Sequence, residues 1–98
     1  MSEQVALERT VTIVNRRGLH ARAAAKLTKL AAHFHADITV QRNAARVPAR
    51  SLMGLLTLGA SQGKDVTLMA VGEDAQEALD QLCALIERGF DEDDSDGS

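Results

Sequence analysis

Between Arg9 and Asn15 the chain alternates, with Val11 and Ile13 on one side and Thr10 and Thr12 on the other. That is the period of a half-buried strand. Arg16, Arg17 and Gly18 break the alternation. From His20 to about Phe34 the spacing turns helical: Ala23/Ala24, Leu27, Leu30/Ala31 and Phe34 recur every three or four positions, while Arg22, Lys26, Lys29 and His33 occupy another face. Ile38 and Val40 alternate with Thr39 and Gln41 in a second strand, and Asn43-Ala44 turns the chain into a short third one, Ala45 to Pro48. Pro48 has no N–H to give a ladder, which assigns this strand to a sheet edge.

Ser51 is placed to cap a brief helix ending near Gly59, since its hydroxyl can accept a free first-turn amide. Gln62-Gly63-Lys64 forms a turn before a fourth strand, Val66 to Val71. Asp74, with Glu77 three residues on, approximates a capping box for the last helix. The buried stripe of that helix is expected to be Ala75, Leu79, Leu82/Cys83, Ile86 and Phe90. The predicted order is β-α-β-β-α-β-α, and elements this short bury their apolar sides best as a single sheet covered on one face by helices, an α+β arrangement.

The chain has 98 residues and a formal charge of −3, but the charge is unevenly spread. Five of the fourteen acids (Asp91, Glu92, Asp93, Asp94 and Asp96) lie in the last eight residues, leaving nine against eleven Lys and Arg elsewhere. Residues 1–90 are therefore expected to form one mildly basic domain. Residues 91–98, unable to bury apolar surface, are expected to be a disordered acidic tail. Two Phe without Trp or Tyr argue against a base-stacking nucleic-acid platform. A single cysteine excludes an internal disulfide, and no apolar run approaches a membrane span or a signal core, so a cytoplasmic protein is expected. His33 and His35 lack carboxylate or thiol neighbours suited to a metal and read as surface residues; no metal or cofactor is expected. Arg42, Arg46 and Arg50 make a second basic cluster, able to guide acidic partner surfaces.

Chemistry concentrates in Asn15-Arg16-Arg17-Gly18-Leu19-His20-Ala21-Arg22. Gly18 permits a tight turn, and His20 stands where the helix begins, beside amide groups without intrahelical partners. A helix start attracts anions, and Arg22 and Arg17 can add charge-assisted bonds to phosphate-like oxygens. The same setting disfavours imidazolium and is expected to keep the ring neutral and nucleophilic. On pattern alone a histidine at a helix start is more often a cap or a surface residue.

The segment Gly18-Leu19-His20-Ala21-Arg22 followed by Ala23-Ala24 resembles the active-site signature Gly-Leu/Met-His-Ala/Thr-Arg-Pro-Ala of the HPr phosphocarrier family. A second block, Arg50-Ser51-Leu52-Met53-Gly54-Leu55-Leu56-Thr57-Leu58-Gly59, is similar to that family's Lys-Ser-Ile-Met-Gly-Val-Met-Ser-Leu-Gly segment, in register, and Gly72-Glu73-Asp74 matches as well. The resemblance spans roughly residues 8 to 91. It departs at Ala23, where the family has Pro, and at Arg17, which is often Asn in sugar-pathway members. Asn15-Arg16-Arg17-Gly18 and the ending from Ile86 to Asp93 resemble the nitrogen-branch subfamily, NPr.

The resemblance implies an open-faced sandwich, with a four-stranded antiparallel sheet and three helices on one face. It implies phosphorylation of His20 at Nδ1 with Arg22 holding the phosphoryl group. It also implies a phosphoenolpyruvate-dependent Enzyme I as donor and a IIA-type protein as acceptor. Ser51 matches a regulatory phosphorylation site, which would add a serine kinase and phosphatase as partners. Such a protein is an intermediate in a relay, not a turnover catalyst on its own, and is expected to act as a monomer.

The helix after Ser51 is apolar nearly all round. Leu55 and Leu58 are expected in the core, while Leu52, Met53 and Leu56, with Arg50 at the rim, are expected to face partners. Two other readings compete: a sugar-branch HPr, and a regulatory module whose phosphorylation state selects its partner. A regulatory module could tolerate replacement of His20.

Overall fold

In the computed structural model, which describes residues 6–92, the elements follow the predicted order. They are β1 (Ala6–Thr12), α1 (Ala21–Ala31), β2 (Asp37–Arg42), β3 (Ala45–Pro48), α2 (Leu52–Thr57), β4 (Asp65–Val71) and α3 (Ala75–Glu87), followed by one 3-10 turn at Gly89–Asp91. The four strands form one antiparallel sheet in the order β1-β4-β2-β3, so β3 with its Pro48 lies on an edge. Val11 opposite Val66 and Val40 opposite Leu68 set the register of the buried face. On the other face Thr10 and Thr67 share a hydroxyl hydrogen bond of 2.8 Å, and the Thr12 hydroxyl donates to Asp65 at 2.6 Å. A one-residue slip would turn every one of these side chains over, which is why the register is firmly specified. The three helices cover the apolar face, which is therefore an open-faced α+β sandwich.

Arg9 lies on this inner face near the sheet edge, and its guanidinium reaches Asp80 of α3 at 2.6 Å. Hydrogen bonds from Arg9 and Gln76 hold the Asp80 carboxyl below its usual range. Cys83 lies in the core beside them, where burial pushes its thiol up, as suits an inert small hydrophobe.

Several boundaries differ from the sequence reading. β1 is paired from Ala6 because β4 runs to Val71 opposite it, and its ladder stops at Thr12 rather than at Asn15. Ile13 nonetheless keeps both backbone bonds, to Lys64 and from Gly63, and remains buried. α1 ends at Ala31, three residues before Phe34, which reaches the core through a turn. The capping box at Asp74 is not formed. The carboxylate turns away from α3 and accepts the backbone N–H groups of His35 and Ala36 at 2.9 and 2.8 Å, tying the start of α3 to the entry of β2. The bond from His35 chiefly holds the Asp74 carboxyl below its ordinary range. Glu77 pairs with Gln81 instead.

The C-terminal boundary also moves. Gly89, Phe90 and Asp91 have φ of 68°, 58° and 59°, and this left-handed turn drives Phe90 completely into the core. Asp91 and Glu92, the first two residues of the segment expected to be disordered, complete this turn. Residues 93–98 of that tail lie outside the described residues. No described helix is long and apolar enough to cross a membrane.

Candidate functional site

The loop from Asn15 to His20 is shaped by glycine and backbone hydrogen bonds. Gly18 has φ of +67°, and a Cβ there would sit 2.7 Å from the Ala60 carbonyl oxygen and 2.9 Å from the Ser61 Cα. Only glycine allows this approach, because both obstacles are backbone atoms. The Leu19 amide donates to Ala60 at 2.9 Å and buries the Leu19 side chain. Asn15, 1% exposed, donates from Nδ2 to the Gly18 carbonyl at 2.8 Å, closing the loop on itself. The sequence places this asparagine in the stretch where chemistry concentrates but gives it no role of its own, since a buried polar side chain has no periodicity to mark it.

His20 follows in extended conformation and is the N-cap of α1. Its Nδ1 accepts the Arg22 backbone N–H at 3.3 Å, a long bond at the weak end of the range. The cap reading and the functional reading of this residue thus coincide in one atom. An Nδ1 that accepts an N–H carries its lone pair, so the ring proton belongs to Nε2. There Nε2 meets the Glu92 carboxylate, whose other oxygen accepts Asn15 Nδ2 at 3.0 Å. Burial pushes the Glu92 carboxyl up, but the hydrogen bonds from His20 and Asn15 outweigh it and hold the group below the usual carboxylate range. Glu92 was not among the expected site residues; nothing in an acidic terminal run distinguishes the one acid that folds back.

Arg17 and Arg22 flank the ring in sequence and are both exposed, and among the described residues neither guanidinium has a hydrogen-bond partner. Arg22 touches His20 through its backbone, leaving its side chain open to an incoming anion. The site therefore combines a lone-pair nitrogen at a helix start with two unengaged cations. This arrangement suits a nucleophile that must take up and hold a phosphoryl group.

Comparison with known proteins is decisive. Residues 7–88 match the family model described as the PTS HPr component phosphorylation site. The chain belongs to the HPr family. It is 51% identical over 86 residues to phosphocarrier protein NPr of Shewanella violacea, covering 88% of this chain and 94% of that one. It is 50% identical over 86 residues to phosphocarrier protein HPr of Cupriavidus necator, covering 88% and 97%. Among solved structures, HPr of Thermoanaerobacter tengcongensis superimposes with a TM-score of 0.85 at 44% identity, covering 89% of this chain and 98% of that one. This HPr-family chain is accordingly a phosphocarrier of the phosphotransferase system.

The remaining candidate residues of this HPr-family chain lie around α2. Ser51 caps the helix, its hydroxyl accepting the Gly54 amide at 3.0 Å. Leu55 and Leu58 are core, as expected, while Leu52 and Met53 are exposed, Met53 by 71%. Leu56 is a partial exception: it is half-buried and packs against the core, so it offers only an edge to a partner. Val14, 45% exposed beside the His20 loop, extends the apolar surface and was missed because it falls on the polar side of the strand pattern. The second basic cluster is engaged internally. Arg50 donates to the Phe34 carbonyl at 2.5 Å, Arg42 to that of Leu58 at 3.0 Å, and Arg46 to the Gln41 side chain at 3.2 Å. Arg50 thus fastens the turn after α1 and remains exposed at the rim.

Proposed function

We propose that this phosphocarrier accepts a phosphoryl group on Nδ1 of His20 from a phosphoenolpyruvate-dependent Enzyme I and delivers it to a IIA-type acceptor in the nitrogen-regulatory branch. It would act as a monomer in the cytoplasm. The observation that carries this reading is the ring itself, with its Nδ1 lone pair at the start of α1 and two unengaged arginines beside it. The Nδ1 lone pair attacks phosphorus as the bond to the donor breaks and its electron pair leaves with the donor. The bond from the Arg22 amide is long enough to be given up at small cost. Arg22, and Arg17 from the loop, then neutralise the phosphoryl oxygens.

Leu52 and Met53, with the exposed edge of Leu56 and the rim Arg50, form the docking face shared by donor and acceptor. A charge placed on Ser51 by a serine kinase, and removed by a phosphatase, would regulate it. The nitrogen branch is favoured by Asn15-Arg16-Arg17-Gly18 and by the ending from Ile86 to Asp93. The near-equal identity to an HPr of undesignated branch keeps a sugar-branch role as the second reading.

The test is labelling by phosphoenolpyruvate with purified nitrogen-branch or sugar-branch Enzyme I. Faster labelling by the nitrogen-branch enzyme is expected. Preference for the other donor assigns the sugar branch, and failure with both overturns the carrier reading.

A further inference from the structure

The chain beyond α3 is built as a hook. α3 ends at Glu87, and the next three residues after Arg88 all have positive φ: Gly89, Phe90 and Asp91. Two of these are not glycine, and a left-handed backbone is unfavourable for each such residue. The conformation is secured from several sides. Phe90 is fully buried, the Lys26 ammonium of α1 donates to the Phe90 carbonyl at 2.6 Å, and Arg88 grips Asp91 at 2.8 Å. The Glu92 amide donates back to Gly89 at 3.1 Å and closes the turn. All of this delivers one side chain, the Glu92 carboxylate, to the far side of the His20 ring. Asn15, itself buried and fixed to Gly18, orients it from below.

Resting on the reading of His20 as phosphoryl acceptor, we propose that Glu92 is a positioning residue for the transfer: it holds the Nε2 proton, aims Nδ1 at phosphorus and supplies counter-charge as the ring becomes cationic. The step balances without another reactant. A neutral ring protonated on Nε2 attacks through Nδ1, the N–P bond forms, and the phosphorus–donor bond breaks with its electron pair going to the donor. The proton stays on Nε2, so the phosphorylated ring carries a positive charge facing the Glu92 carboxylate. A carboxylate on the far nitrogen of an imidazole stabilises imidazolium and fixes the tautomer in this way. When the phosphoryl group leaves for the acceptor the ring returns to neutral, so this contact assists uptake more than release, while fixing the tautomer for both. The two ring nitrogens point away from each other, which keeps the carboxylate clear of the phosphoryl oxygens.

The proposal is tested on the full chain with Glu92→Gln, which keeps the shape and the acceptor for Asn15 but removes the charge, and with Glu92→Asp, which keeps the charge on a shorter arm. Two readouts apply. In 15N-labelled protein the His20 Nε2–H proton is expected far downfield and slow to exchange in the parent, and lost to exchange in Glu92→Gln. Labelling from Enzyme I is expected to slow on the order of tenfold in Glu92→Gln, with Glu92→Asp between it and the parent.

Thermal unfolding of each variant separates these effects from loss of the fold, and if Glu92→Gln does not fold, Glu92→Asp carries the same two readouts. A parent that labels normally beside a folded Glu92→Gln labelling equally fast overturns the proposal alone, as does an unchanged Nε2–H signal. A parent that takes up no phosphoryl group on His20 overturns the functional reading itself.

Discussion

The starts of α1 and α2 are both capped by a side chain, yet the two caps are built for different ends. Ser51 accepts the Gly54 amide at 3.0 Å, an ordinary cap bond from a short, inflexible side chain. His20 accepts the Arg22 amide at 3.3 Å, with the ring fixed from its opposite edge by Glu92. A long cap bond can be surrendered, and the ring does not lose its orientation when that happens. On the reading proposed above, a second anchor is what distinguishes a reactive cap from a structural one, since it frees the capping atom for chemistry. The start of α3 offers a third solution, in which Asp74 leaves its own helix uncapped and clamps another segment.

Removing the reactive cap is the most drastic way to break the comparison. His20→Ala should abolish labelling by Enzyme I while the domain stays folded, since α1 loses only one weak cap and the ring contributes little to the core. Acid-labile, base-stable label is expected on the parent, as for a phosphoramidate. Persistent full-rate labelling of His20→Ala would place the acceptor elsewhere.

Next in size is the cation beside the cap. Arg22→Ala should slow transfer on the order of 100-fold or more while affecting Enzyme I affinity far less, because on the reading proposed above its fork meets the moving phosphoryl group. Arg22→Lys should recover only part of the rate, a point charge lacking the two parallel donors. Single-turnover kinetics paired with calorimetric binding separates the two quantities. Equal losses in rate and affinity would make Arg22 a docking residue.

The loop that carries the reactive cap comes third. Gly18→Ala introduces a Cβ against the backbone of Ala60 and Ser61 at a left-handed position, which should cost at least about 2 kcal/mol. That corresponds to a drop of roughly 10 °C in Tm for a domain of this size. Because Leu19 and His20 hang from this turn, the labelling rate should fall even at temperatures where the variant is fully folded. The equivalent change beside the structural cap, Gly54→Ala, places its Cβ 2.8 Å from Ser51 Oγ, and it should lower Tm by disturbing that cap without slowing labelling at low temperature.

The third cap can be tested by pH. Folding lowers the Asp74 carboxyl, so its contribution to stability is complete above the unfolded value near 4 and is lost as pH falls through the lower folded value. The acid limb of the parent's stability curve should therefore steepen below about pH 4. Asp74→Asn should start less stable at neutral pH and show a shallower limb. Hydrogen exchange should show the His35 and Ala36 amides losing protection in that variant. Unchanged protection would remove Asp74 from the account.

These contrasts also show which parts of the molecule the sequence discloses. Periodicity identified β1, β2, α1 and α3, because burial of one face imposes its rhythm directly on residues such as Val11, Val40 and Leu79, while turn and cap residues placed β3, α2 and β4. The position of His20 at a helix start was legible because a glycine turn and flanking arginines precede the helical spacing within a few residues. The contact of Glu92 with the ring, and the part of Asn15 in orienting that carboxylate, were not. Asn15 and Glu92 are 77 residues apart, they meet only because Phe90 folds the terminus back, and neither has a repeating neighbour to announce it. Asp74 misled for a related reason. A cap-like residue three before Glu77 satisfies a local rule, but the His35 and Ala36 amides compete for the same carboxylate and win.

The smallest expected effect sharpens the comparison from the structural side. Ser51→Ala should cost about 1 kcal/mol, the usual value of a lost cap. Ser51→Asp should preserve or slightly raise Tm, since a carboxylate can accept the same Gly54 amide and favours the start of α2. The same charge lies at the edge of the surface carrying Leu52 and Met53, which are exposed and, on the reading proposed above, covered by partners. There it would have to be desolvated and would face any acidic group of the donor, so Enzyme I binding should weaken by a few-fold at low salt and recover as salt screens it. Met53→Glu puts a charge into the patch itself and should weaken donor and acceptor alike, with no gain in Tm. On that reading a structural cap would become regulatory through its surroundings, where the proposed reactive cap depends on its own atoms. If Ser51→Asp binds Enzyme I as tightly as the parent at low salt, α2 is not the shared docking face, and Ser51 is a cap and nothing more.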